Sequence, residues 1–143
     1  GLLHGVGKIV LNEFVGDEFD TIKQYVEIDG MTFLEAEKKV LGFNHVEIGA
    51  KMAESWKLPD NIVRAIRHHH EADDLDPPDP LVDVVHLGNA TCMILGIGSG
   101  SDGLYYTADS WVLNKYGLDA GALQEIGMQL LVELDAVEKL FAI

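Results

Sequence analysis

Apolar residues recur every three or four positions along nearly the whole chain, and no segment alternates apolar with polar residues for long enough to make a half-buried strand. This single periodicity sets the fold class: an all-α protein, a compact bundle of about seven to eight helices without a sheet. At 143 residues the chain is long enough to bury one hydrophobic core and too short for two ordinary domains. Apolar residues make up 48% of it, which excludes disorder. No run reaches the roughly eighteen uninterrupted apolar residues that a membrane span needs.

Charge narrows the partners. Ten Lys and Arg against 24 Asp and Glu give a net charge of −14, which repels phosphate backbones and argues against nucleic acid as a partner. The one cysteine, Cys92, has no intramolecular disulfide partner, and no stretch resembles a signal peptide, so a cytoplasmic location is expected. The opening Gly1-Leu2-Leu3-His4-Gly5-Val6-Gly7-Lys8, without a Met, looks like a cut inside something longer.

The spacing predicts a first helix over 1–14 with Leu2, Leu3, Val6, Ile9, Val10 and Phe14 on one face and no N-cap of its own. A second over 18–28 turns Phe19, Ile22, Tyr25 and Val26 inward. Thr32 with Glu35, and Asn44 with Glu47, fit the capping box and start helices over 33–41 and 45–56. Pro59 suits the first turn of a helix that runs to His69. The segment 71–80 is a loop by composition. It fails as a calcium loop, because Asp79 stands where that loop needs Gly. A central helix over 81–95, a short one over 110–116 and a long one over 120–141 complete the set. Between them, Gly98, Gly100 and Gly103 match G-x-G-x-x-G, but a helix rather than a strand precedes them, so they read as a connector. The stripe Leu123, Ile126, Leu130, Leu134, Val137 and Phe141 reads as a core face, with an oligomer seam as the alternative.

Six histidines in so acidic a chain carry the most chemical information. His4 lies on the first helix, His45 at the start of the fourth, His68, His69 and His70 at the end of the fifth, and His86 on the next. Neutral imidazole is the commonest ligand for transition metals, and ligands on separate helices can converge in a bundle core. A histidine at a helix C-terminus is also favoured by the helix dipole alone, which is the plain reading of His69 and His70.

In order and spacing the chain resembles the HD superfamily of metal-dependent phosphohydrolases, and within it the HDOD branch. The segment His4-Gly5-Val6-Gly7-Lys8 is similar to the H-D-x-G-K signature. The HDOD likeness lies in His45-Val46-Glu47-Ile48-Gly49-Ala50, in Trp56-Lys57-Leu58-Pro59 with His69-His70, and in Val85-His86-Leu87-Gly88-Asn89-Ala90. It runs over 1–100, which would be the second half of a full domain, with 101–143 a C-terminal helical extension packed on it. The intervals of 24 and 25 residues from His45 to His69 and His70 also suit the HD-GYP phosphodiesterase branch, although no Gly-Tyr-Pro follows.

The departures point away from catalysis. Gly5 stands where the superfamily has its aspartate, and Asn89 stands at the position of the second aspartate. Such carboxylates bridge paired metals and offset their charge. The resemblance therefore implies that His4, His45, His69 and His70 hold one zinc, nickel or iron ion rather than a two-metal hydrolytic centre. Asp83, one turn before His86, is a candidate carboxylate ligand on spacing alone. By resemblance Lys8 would face a substrate phosphate. The expected function is a regulatory or signal-transduction module without catalytic residues, of the kind that sits behind sensory domains in bacterial proteins, working through protein partners or as a homodimer, without nucleic acid or membrane. The alternative is a metal-dependent phosphohydrolase or cyclic-nucleotide phosphodiesterase. The apolar face of Leu2, Leu3, Val6 and Val10 is expected to lie under the C-terminal helix or a second copy of the chain.

Overall fold

The computed structural model describes residues 1–16, 18–72, 75–97 and 110–141. The described residues form eight helices and no strand: α1 (Val6–Phe14), α2 (Glu18–Glu27), α3 (Phe33–Leu41), α4 (His45–Ser55), α5 (Asp60–His68), α6 (Pro80–Ile94), α7 (Ser110–Lys115) and α8 (Ala120–Phe141). The glycine pattern at 98–103 lies outside the described residues. No described helix is long and apolar enough to cross a membrane.

Both capping boxes form. The Thr32 hydroxyl accepts from the Glu35 backbone N–H at 3.2 Å while the Glu35 carboxylate accepts from the Thr32 N–H at 2.8 Å. At α4, Asn44 Oδ1 accepts from the Glu47 N–H at 3.0 Å and Glu47 accepts from the Asn44 N–H at 3.2 Å. Each cap contributes about 1 kcal/mol and fixes where its helix begins. Consequently His45 becomes the first residue of α4. Gly42 ends α3 at φ 81°, a left-handed conformation that glycine adopts without strain. Pro59 is the N-cap of α5 rather than part of its first turn, while Pro80 does occupy the first turn of α6 behind the N-cap Asp79.

The helices pack in a chain of neighbours: α2 on α3, α1 on α4, α4 on α5, α5 on α6 and α6 on α8. α1 approaches α4 very closely. A Cβ on Gly7 would lie 1.9 Å from the His45 carbonyl oxygen and 2.9 Å from the Gly49 nitrogen, so backbone meets backbone there. This contact overrides the helical face read from α1. The helix begins at Val6, behind a turn over 2–5, and its buried line is Gly7, Leu11 and Val15. Ile9 and Phe14 are exposed, because a face centred on Gly7 points them away from α4.

The C-terminal stripe is half right as a core face. Leu123 is buried and Leu130 and Leu134 are partly buried, but Ile126 and Val137 are exposed, because α8 runs past the α6 surface that covers its beginning; the side chain of Phe141 lies outside the described residues. Nor does α8 cover the start of the chain: Leu2 is 98% and Leu3 37% exposed. By contrast α6 is central as expected, with Val82, Val85, Ala90 and Met93 buried around it.

Replacing Gly7 with alanine forces these two backbones apart, and a loss of about 3 kcal/mol of unfolding free energy is expected in chemical denaturation. Gly5→Ala is the control, since φ is −90° and a Cβ there meets nothing within 4 Å; it should stay within about 0.5 kcal/mol of the parent. Equal stability of the two variants would contradict the crossing.

Candidate metal centre

Three imidazoles come together at the meeting of α4, α5 and α6. His45 is placed by the cap of α4, whereas His69 and His70 follow directly on the last turn of α5. Their candidate ligand nitrogens all lie within 4.8 Å of one another, and no carboxylate joins this group among the described residues. His45 Nε2 and His70 Nε2 are 3.1 Å apart. Two nitrogens bound to one tetrahedral ion at about 2.0–2.1 Å stand about 3.3 Å apart, so this spacing suits a shared ion.

Ring orientation is set from behind. His69 Nδ1 donates to the Ile66 carbonyl at 2.8 Å, which leaves Nε2 as the unprotonated nitrogen. That Nε2 is buried and has no hydrogen-bond partner. A buried lone pair without a donor is unfavourable, and a cation would satisfy it. On α6, His86 Nδ1 donates to the His69 carbonyl at 3.0 Å and so holds the end of α5 in place. His45 Nδ1 lies 2.7 Å from Glu37 Oε2 on α3, and both side chains are buried. The donor set therefore fits one transition-metal ion, held by His45, His69 and His70.

His4 is beside the three but turned from them. Its ring meets His69 edge-on with centroids 4.8 Å apart, while Nδ1 donates to the Gly1 carbonyl at 2.6 Å and Nε2 lies 3.1 Å from Asn89 Oδ1. Asn89 thus contacts His4. Asp83 faces elsewhere: its Oδ2 accepts from Lys115 Nζ and, at 2.8 Å, from the Tyr116 hydroxyl, tying α7 to α6. Its charge raises the Lys115 and Tyr116 pKa values, through those hydrogen bonds first. His68 lies on α5 outside the group. His4, Gly5, Lys8 and Asn89 also line a largely apolar cavity of about 1000 Å³ between α1, α6 and α8.

Glu37 is the residue that sequence reasoning missed. It sits among Glu35, Lys38 and Lys39 and looks like part of a solvated face, yet Phe33, Ala36, Glu37 and Val40 fall on one side of the helix, which is the side that packs. A carboxylate at an apolar-face position was the available signal.

Residues 1–72, half of the chain, match the family model for the HDOD domain, and the chain belongs to that family. It is 29% identical over 105 residues to an uncharacterized protein of Treponema pallidum (strain Nichols), which is 66% of this chain and 19% of that protein. An HDOD domain protein of unknown function from Geobacter sulfurreducens is 26% identical with a TM-score of 0.69, over 99% of this chain and 52% of that one. Two further structures share the fold. One, named for signal transduction, from Marinobacter aquaeolei VT8, is 24% identical with a TM-score of 0.73 over 97% of this chain and 30% of its own. The other, named as a phosphohydrolase, from Shewanella amazonensis SB2B, is 24% identical with a TM-score of 0.64 over 90% and 47%. The chain therefore spans about half or less of the length of each of these four proteins.

Burial holds both the His69 and His70 pKa values well below that of a free imidazole, and the neighbouring rings lower them further, His70 acting on His69 and His45 on His70. These rings are neutral when folded, whereas the unfolded chain takes up their protons below about pH 6.5. Their contribution is complete above that pH and is lost progressively as pH falls. The melting temperature of metal-free protein should therefore drop between pH 7 and pH 5. A His69→Ala His70→Ala variant should show a shallower drop; identical slopes would contradict the assignment.

Proposed function

We propose that this chain is a regulatory HDOD module that carries one transition-metal ion on His45, His69 and His70 and does not hydrolyse phosphoesters. One observation carries the reading: three imidazole nitrogens converge within 4.8 Å, one of them buried without any hydrogen-bond partner, and no carboxylate joins them among the described residues. Zinc, nickel or iron suits such a set, and magnesium does not. When bound, the ion would supply a Lewis-acidic charge and a cross-link between α4 and the end of α5. Phosphoester hydrolysis by paired metals needs a bridging carboxylate and negative charge to offset the cations. Gly5 and Asn89 supply neither.

His4 is the flanking histidine of this site, held by Asn89, and Lys8 is a lining residue of the adjoining cavity rather than a phosphate clamp. Residues 1–100 act as the HDOD region and 101–143 as a helical extension. The output is contact with protein partners, an attached sensory domain or a second copy of the chain in the cytoplasm. The net charge of −14 supports a partner that is neither nucleic acid nor an anionic membrane.

Metal analysis of untagged protein, followed by thermal melts with added zinc, nickel or iron, tests the reading. One equivalent of metal is expected, and an excess of about 100 times Kd should add about 2.7 kcal/mol of stability, lost in His69→Ala. Phosphodiesterase assays with manganese, iron or magnesium should show no turnover. Turnover that disappears in His69→Ala would overturn the regulatory reading, and a melt unmoved by every metal would overturn the site.

A further inference from the structure

We propose that Glu37 is the positioning residue of the histidine site: its carboxylate keeps the proton of His45 on Nδ1 and so presents an unprotonated Nε2 toward His69 and His70. The geometry is specific. Glu37 Oε2 accepts from the His45 backbone N–H at 2.8 Å and from the same residue's Nδ1 at 2.7 Å. As the first residue of α4, His45 has a backbone N–H with no partner inside the helix. One carboxylate oxygen therefore anchors the start of the helix and its first side chain from a single point. A shift of α4 along its axis would break both bonds together.

The chemistry follows from what each group can do. An ionised carboxylate only accepts, so the ring nitrogen facing it carries the hydrogen. In a neutral imidazole the other nitrogen is then the lone pair, and here it is the one 3.1 Å from His70 Nε2. The Ile66 carbonyl imposes the same tautomer on His69. Two of the three candidate ligands thus have their free nitrogen chosen by a fixed acceptor behind the ring.

Charge gives Glu37 a second effect. Three neutral imidazoles leave a divalent ion uncompensated, and Gly5 and Asn89 add no negative charge. Glu37 is 2% exposed, and a carboxylate is buried to that degree only when it is well bonded. Acting through the His45 ring, its charge would partly offset that of a bound ion and raise the basicity of the Nε2 ligand atom.

The metal arm of this inference rests on the reading of His45, His69 and His70 as ligands; the tautomer arm does not. The full chain, free of metal and labelled with 15N-histidine, is to be examined by long-range 15N–1H correlation at pH 8. His45 is expected to show a protonated Nδ1 and a bare Nε2. In Glu37→Gln, whose amide can donate or accept, His45 should lose that single tautomer, and the zinc Kd should rise about 10–100-fold. A proton on Nε2 of His45 in the parent protein overturns the proposal, and this holds even if the variant fails to fold. An unchanged His45 spectrum in folded Glu37→Gln also overturns it, as does an unchanged zinc Kd for the charge effect. If the parent shows the expected tautomer but binds no zinc, the metal reading fails and the positioning role stands.

Discussion

The crossing of α1 over the first turn of α4 is the contact on which the rest of the arrangement depends. Gly7 has no Cβ to hold the helices apart, so its backbone lies against the His45 carbonyl and the Gly49 nitrogen. Gly49 answers with its own missing side chain, where a Cβ would already be 3.0 Å from the Ile66 Cγ2 of α5. Three helices are thereby stacked at van der Waals distance through two glycines. The histidine-bearing ends of α4 and α5 are brought within reach of each other because nothing larger intervenes.

On that frame the imidazoles are oriented by groups that have no part in any contact with an ion. A carboxylate from α3 holds His45, a carbonyl of α5 holds His69, and His86 from α6 holds the backbone of His69 in turn. Each hydrogen bond is worth about 1 kcal/mol to the fold, somewhat more where a charge takes part. Their larger effect is to remove rotational freedom from rings that would otherwise sample several orientations. Burial does the complementary electrostatic work, keeping His69 and His70 neutral and therefore able to donate a lone pair.

Much of this was legible in the sequence because it depends on local signals. Thr32 with Glu35 and Asn44 with Glu47 announce two helix starts through side-chain chemistry that acts within one turn, and the second of them fixes the position of His45. The shared location of His45, His69 and His70 was no local signal: it came from the family resemblance, which grouped them with His4. What failed was what depends on distant contacts. The face of α1 was read from hydrophobicity, which selects Ile9 and Phe14, whereas the true face is chosen by the smallest residue in the helix. Glu37 was hidden by its charged neighbours, since a carboxylate becomes a buried ring acceptor only when α4 arrives to meet it. The stripe of α8 was correctly periodic, but periodicity carries no information on how far the neighbouring helix extends.

Gly5 separates architecture from chemistry in this fold. It lies two residues from Gly7, whose backbone lies against α4, yet a Cβ at Gly5 would meet no atom within 4 Å. The backbone there has φ −90°, open to any L-residue. The scaffold therefore has room for a Cβ at position 5, and a side chain can be added there without pushing the helices apart. Position 5 is thus a place where side-chain charge and helix packing are uncoupled.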